Sequence, residues 1–188
     1  IFTVVNPVSA NGKTGRAWPQ LADYFNRNGL EIFPVVSEYP EHAVQLVREA
    51  LDDGYTTIMS VGGDGTVNEV VNGFFRNGRL INPAARLVVF SKGTGSDFIK
   101  SLKIDNSRSE IIDIIKNGRE KMIDIGEIKY QKFNGQRTSR YFVNLTDAGI
   151  GGATVNRVNN STKFFGGILT YLIGALKTLF LYENKHFE

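Results

Sequence analysis

The sequence predicts an α/β fold built on a parallel sheet, on three observations. Short β-branched runs alternate with amphipathic helical stretches through residues 1–121. Two of those runs end in glycine-bearing loops that lead straight into helices. From residue 122 the pattern changes to two strand-like runs around a polar Asn134-Gly135 turn, so a β-rich second part begins there.

Residues 1–5 form an apolar, β-branched first strand, followed by a loop through Gly12-Lys13-Thr14 and a helix over 17–28 with Trp18, Leu21, Ala22 and Phe25 inward. The loop imitates the end of a Walker A motif, but that motif needs Gly where this chain has Pro7. Lys13 is a candidate phosphate-facing cation, the alternative being a solvated loop lysine. A second strand over 30–36 ends at Ser37, and a helix follows over 41–53. Residues 86–90 are a fourth strand, delivering the loop Ser91-Lys92-Gly93-Thr94-Gly95-Ser96-Asp97 into a helix beginning near Phe98. A short helix over 107–117 ends at Gly118. Residues 122–130 and 140–145 are the strands of the later hairpin, and 149–152 is a loop.

The densest motif lies between the third strand, 56–61, and its helix: Gly62-Gly63-Asp64-Gly65-Thr66-Val67-Asn68-Glu69. Its glycines permit positive φ and close approach to backbone N–H groups. The helix N-terminus adds positive potential, an arrangement that suits a phosphate. A carboxylate beside a phosphate calls for a cation between them, so Asp64 implies a divalent metal, Mg²⁺ held partly through water. The alternative is Asp64 as the N-cap of its own helix. Neither glycine loop matches the dinucleotide fingerprint, since Asn68 and Phe98 stand where its third glycine belongs.

The 188 residues include no Cys and only two His, His42 and His186. Disulfides, thiolate nucleophiles and Cys-ligated metals are excluded, and a multi-imidazole zinc site or a Ser-His-Asp set is poorly supplied. A net charge of +3 gives no argument for nucleic acid as a partner. The chain opens on a strand without Met, and we expect a fragment of a longer protein. Residues 164–182 are strongly apolar, yet Lys177 cuts the uncharged run below the roughly 20 residues of a spanning helix. A buried helix is expected there, with a lipid-facing surface as the alternative. Arg157, Lys163, Lys177 and Lys185 flank apolar residues and would favour anionic lipid.

Asn6-Pro7-x-Ser9 with Gly12-Lys13, the Gly62 to Glu69 motif, Gly93-Thr94-Gly95-x-Asp97-Phe98 and Ile123-Asp124-Ile125-Gly126 occur in that order. Together they resemble the diacylglycerol kinase catalytic family, in its bacterial soluble lipid kinase branch. The Gly62 to Thr66 element alone is shared with NAD kinases and phosphofructokinases. The resemblance implies a three-layer α/β/α ATP-binding domain over 1–121 and a partial β-sandwich, lipid-side domain over 122–188. It implies ATP and Mg²⁺ as cofactors, transfer of the γ-phosphoryl group to a lipid alcohol such as diacylglycerol, and transient contact with a membrane surface from the cytoplasm. Asn6, Lys13, Ser37, Gly62, Gly63, Asp64, Gly65, Thr66, Val67, Asn68, Glu69, Gly93, Thr94 and Gly95 would bind the nucleotide. Asp64 would hold the metal, Asp97 and Asp124 would support it as catalytic carboxylates, and the general base would lie beyond residue 188. Ser91 and Ser96 depart from the family's usual Pro and Asn. A kinase of a soluble alcohol, resembling NAD kinases, and a non-catalytic nucleotide-binding module stay open, as does a homodimer.

Overall fold

A computed structural model describes residues 1–93, 95–132, 134–146, 151–154 and 167–182. The chain runs β1 (Phe2–Val5), α1 (Lys13–Arg27), β2 (Phe33–Val36), α2 (His42–Asp52), β3 (Thr57–Gly62) and α3 (Asp64–Gly73). It continues with β4 (Phe75–Arg76), β5 (Arg79–Leu80), β6 (Arg86–Ser91), α4 (Asp97–Leu102), α5 (Arg108–Asn117), β7 (Gly126–Gln131) and β8 (Arg137–Phe142). The last helix is α6 (Gly167–Leu181). Four strands form one parallel sheet in the order β2-β1-β3-β6, with Val5 paired to both Val36 and Val61 and Gly62 to Ser91.

Alternate side chains of each strand serve opposite faces of the sheet. Phe2, Val4 and Ile58 pack with Leu46, Val47, Leu51, Val70 and Phe74 of α2 and the α3 end. Val5, Met59, Val61 and Phe90 pack on the other side with Trp18, Leu21, Phe25, Ile111 and Ile112 of α1 and α5. The result is the three-layer α/β/α arrangement, with each fully buried aliphatic or aromatic side chain contributing about 1.5–3 kcal/mol.

Local chemistry explains where the elements differ from expectation. Helix α1 starts at Lys13, four residues early, because Ala10, Asn11 and Gly12 all take positive φ and turn the chain into it. Strand β2 is limited to 33–36: Leu30 is buried with the α1 core instead, and Pro34, which has no N–H, is tolerated because β2 is an edge strand. The β4–β5 hairpin was not anticipated, although Asn77 at φ 52° and Gly78 at φ 78° are the Asn-Gly pair such turns favour. Helix α5 follows expectation, with the Ser107 hydroxyl accepting from the Glu110 N–H and Gly118 left-handed.

The chain divides into two compact units, Ile1–Asn144 and Leu145–Glu188. The β7–β8 hairpin belongs to the first. In the second, residues 151–154 are helical where a loop was expected at 151 and 152; residues 149 and 150 lie outside the described set. Leu172, Leu176, Leu179 and Phe180 of α6 are exposed, so this helix is not buried as expected: it carries more apolar surface than so small a unit covers. No described helix is long and apolar enough to cross a membrane. Arg157, Lys163 and Lys185 lie outside the described residues, and Lys177 is exposed.

Candidate active site

The loops after β1, β3 and β6 meet beyond the carboxyl ends of the sheet, where open parallel sheets bind ligands. Asn6 joins two of them: its N–H donates to Val61 O (2.9 Å) and its side-chain Nδ2 to Thr66 Oγ1 (3.0 Å). Lys92 N–H donates to Gly62 O at 2.6 Å, and Thr14 Oγ1 donates to Lys92 O at 3.4 Å. Ser37 lies one strand further out, half-buried, its N–H donating to Val5 O at 2.9 Å. Lys13 is exposed, as is Gly65, while Glu69 is half-buried. Thr94 lies outside the described residues.

The motif glycines are needed for closeness rather than for backbone handedness: none of Gly62, Gly63, Gly65 and Gly93 has positive φ. A Cβ on Gly62 would collide with the Thr66 side chain. A Cβ on Gly93 would sit 2.5 Å from Gly63 Cα, so the two loops lie backbone against backbone. Gly65 differs, because a Cβ there would meet nothing within 4 Å. The fold itself sets no steric demand for glycine at 65. In the first turn of α3 the Thr66 N–H bonds back to Gly63 O at 2.9 Å, while the Asp64 and Gly65 N–H groups have no described backbone acceptor.

Asp64 is the first residue of α3, and Gly63 is that helix's N-cap. The cap alternative for Asp64 is therefore corrected: its carboxylate serves a different helix. Oδ2 accepts from the Asp97 N–H (3.2 Å) and Oδ1 from the Phe98 N–H (3.1 Å), the first N–H groups of α4. Such a bond to a carboxylate is stronger than one between neutral groups. It ties the two glycine loops together a second time. Asp64 Oδ2 and Asp97 Oδ2 lie 3.3 Å and 3.0 Å from the point a Cβ on Gly95 would occupy. Two carboxylate oxygens thus flank a space that glycine keeps open. That donor set fits a hydrated Mg²⁺, which binds through one or two carboxylates plus phosphate oxygens rather than in an all-protein cage. No three acidic or imidazole side chains converge among the described residues. Asp124 is exposed and makes no described hydrogen bond or ion pair, so nothing brings it to Asp64 and Asp97.

Asn68 and Val67 have positions that narrow their roles. Val67 is buried against Phe98 and Ile99, leaving only its backbone to face a ligand. Both ends of the Asn68 amide are engaged with the β7–β8 hairpin: Nδ2 donates to Tyr141 O (3.1 Å), and Oδ1 accepts from Arg140 Nε (3.1 Å). Asn72 pairs with the Tyr141 backbone in both directions, at 2.9 Å each. Phe75 stacks on Tyr141 at 3.8 Å, and Arg140 also donates to Glu41 Oε1 at 2.7 Å. Burial, with the Glu127 charge adding to it, raises the Tyr141 phenol above its ordinary range.

One group beside the site escaped sequence reasoning. Asn106 brackets Ser91, accepting from its N–H (3.0 Å) and donating to its O (2.6 Å), a contact no periodicity announces. Ser91 and Ser96, the two departures from the family pattern, are bonded to each other: Ser91 Oγ donates to Ser96 Oγ at 2.7 Å, which donates to Gly93 O at 3.2 Å. Ser96 is left-handed at φ 54°, a conformation Asn tolerates more readily. The hydroxyl pair holds that turn in place of the usual residues.

A family model described as the diacylglycerol kinase catalytic domain matches residues 1–128. The diacylglycerol kinase of Staphylococcus carnosus (strain TM300) is 27% identical over 176 residues, 94% of this chain and 53% of its own length. That of Staphylococcus aureus (strain bovine RF122 / ET3-1) is 30% identical over 146 residues, 78% of this chain and 42% of its own. A solved diacylglycerol kinase from Bacillus anthracis str. Sterne matches with a TM-score of 0.50 over 72% of this chain and 44% of that one, at 21% identity, a likeness of fold. The chain spans about half the length of the curated relatives it matches. The order of its glycine loops and its match through residues 1–128 make it a member of the diacylglycerol kinase catalytic domain family.

Proposed function

We propose that this chain is part of an ATP-dependent lipid kinase that transfers the γ-phosphoryl group to the hydroxyl of diacylglycerol or a related lipid alcohol, at a membrane surface it touches transiently. The observation that carries the reading is Gly65. It has ordinary φ and open space around it, yet sits between Asp64 and Thr66 at the mouth of the converging loops. Glycine there makes sense when a ligand presses against the backbone.

In this reading residues 1–121 bind the nucleotide and residues from 122 begin the lipid-side domain. The backbone N–H groups at Gly63, Asp64 and Gly65 hold phosphate oxygens, with the α3 dipole behind them. Asp64 and Asp97 orient Mg²⁺ through its waters; when bound, that ion neutralises charge on the transferring group. Asn6, Thr66 and Lys92 fix the spacing of the three loops, which sets the in-line geometry. Asn68 acts as a positioning residue through the hairpin. We propose no residue of this chain as the general base, which the resemblance puts beyond residue 188.

The test is Gly65→Ala in the intact protein, read by ATP titration with Mg²⁺, by diacylglycerol phosphorylation in mixed micelles and by a thermal melt. Alanine suits a helix better than glycine by about 1 kcal/mol, so the melt should hold or rise. ATP affinity and turnover should fall at least tenfold. Undiminished ATP binding by a stable Gly65→Ala protein would remove the main support. Phosphorylation of soluble alcohols in preference to diacylglycerol would redirect the acceptor.

A further inference from the structure

Strand β2 lies at the edge of the sheet, so the loop that follows it, residues 37–41, has a neighbouring strand on one side only. Its other ties are local. The Ser37 N–H donates to Val5 O at 2.9 Å, the Glu38 N–H donates to His42 Nδ1 at 3.1 Å, and the Tyr39 ring stacks on His42 at 4.3 Å. Among the described residues, one hydrogen-bonded ion pair carries this loop beyond β1 and α2: Arg140 Nη1, on β8, donates to Glu41 Oε1 at 2.7 Å. The same guanidinium donates through Nε to Asn68 Oδ1 of α3 at 3.1 Å. One side chain thus spans the Ser37 loop and the helix that carries the Gly62 to Glu69 motif.

Stability does not account for this arrangement. The hairpin is already fastened to α3 without Arg140: Asn72 bonds the Tyr141 backbone in both directions, Asn68 Nδ2 donates to Tyr141 O, and Phe75 stacks on the Tyr141 ring. The Glu41 side chain is 66% exposed, and an ion pair so open to water adds little to folding. Glu41 also takes φ 68°, a left-handed conformation that residues other than glycine rarely adopt. Glycine would make that turn with less strain but would give Arg140 no carboxylate. A planar guanidinium holds two acceptors at a fixed spacing, which a flexible ammonium does not.

We infer that Arg140 is a positioning residue that fixes the spacing between the Ser37 loop and α3. On the kinase reading, which this assignment deepens and on which it rests, both of those elements contact the same nucleotide. Their spacing then sets how tightly the nucleotide is held. Arg140 itself touches neither nucleotide nor acceptor; it acts through Glu41 on one side and Asn68 on the other.

The experiment uses the intact protein with Arg140→Met, Glu41→Ala, the double variant and Arg140→Lys. Mg–ATP affinity is measured by titration calorimetry well below every melting temperature, and amide exchange is measured without ligand. Arg140→Met should weaken ATP binding about tenfold, and Glu41→Ala should weaken it less. The double variant should bind no more weakly than Arg140→Met alone, because Glu41 acts through Arg140. Arg140→Lys keeps the charge facing Glu41 and should recover part of the affinity. Exchange at Ser37 and His42 should quicken in Arg140→Met, while exchange at Tyr141, held by Asn72, stays as it was. Wild-type ATP affinity in a folded Arg140→Met protein would overturn the assignment, as would losses that simply add in the double variant. Faster exchange at Tyr141 with none at Ser37 or His42 would reduce Arg140 to a hairpin anchor and also overturn it. Should Arg140→Met not fold, Arg140→Lys and Glu41→Ala carry the same comparisons. A wild type that binds no Mg–ATP defeats the kinase reading, whereas a wild type that binds it with unmoved variants defeats the positioning role alone.

Discussion

Asp64→Asn separates the structural job that one carboxylate performs from the metal-binding job proposed for it. Asp64 accepts two backbone N–H groups at the start of α4 through its two oxygens. Asparagine offers one oxygen and turns an NH₂ group toward the other donor. One charge-assisted hydrogen bond is lost outright and the other becomes neutral. A hydrogen bond to a charged group contributes about 1.5–3 kcal/mol, and the exposure of the Asp97 side reduces that, so the loss should be about 1–2 kcal/mol. At about 2–4 °C per kcal/mol for a chain of this size, the melt should fall by several degrees. The swap is therefore not silent for the fold, as near-isosteric geometry alone would have it. Amide exchange at Phe98 should quicken, reporting the loss at the site of the change. In the intact enzyme, turnover should fall by orders of magnitude because the metal loses its carboxylate, while ATP affinity falls less. An unchanged melt and unchanged Phe98 exchange would refute the cross-loop cap. Near-normal turnover would refute the metal role, whatever the melt does.

Further outcomes follow from the same contacts. Gly93→Ala places a Cβ 2.5 Å from the Gly63 backbone, which cannot yield like a flexible side chain; we expect a loss of at least about 1–3 kcal/mol in urea titration, in contrast to Gly65→Ala. Asn72→Ala removes both bonds to the Tyr141 backbone and should cost about 1–3 kcal/mol, with Tyr141 amide exchange rising sharply. The raised Tyr141 pKa means that the folded state holds the phenolic proton more tightly than the unfolded chain. Its contribution is complete below the ordinary value of 10.0 and is lost as pH rises through the higher folded value. Denaturation at neutral pH and above pH 10 should show an alkaline loss in the wild type that Tyr141→Phe lacks.

The sheet was legible because its signals are local. Val4, Val5, Ile58, Met59 and Val61 are buried and β-branched or long, with Asn6-Pro7 ending the first run and Gly54 and Gly62 bounding the third. The glycine loops were legible for the same reason, since Gly62 to Thr66 is contiguous. What the glycines do was not, because Gly63 meets Gly93 across thirty residues and only the folded backbone brings them together. Asp64 was expected to organise a metal or cap its own helix, and sequence gives no hint that its partner is α4. Asn68 was grouped with the nucleotide by its place in the motif, whereas its amide is occupied by Tyr141 and Arg140. The Asn77-Gly78 turn was readable in principle but has only two-residue strands beside it, too short for any alternation to show.

The grip of α3 on the hairpin sets an order of events during folding. Its polar contacts join residues 69, 72 and 73 positions apart, from Asn72 and Asn68 to Tyr141 and Arg140. Closing so long a loop has an entropic cost that these contacts alone do not offset, so the sheet and α3 must assemble first. Until β8 arrives, the two asparagines face water, which satisfies them at no penalty. A polar socket can thus wait open on a growing chain where an apolar one would invite aggregation.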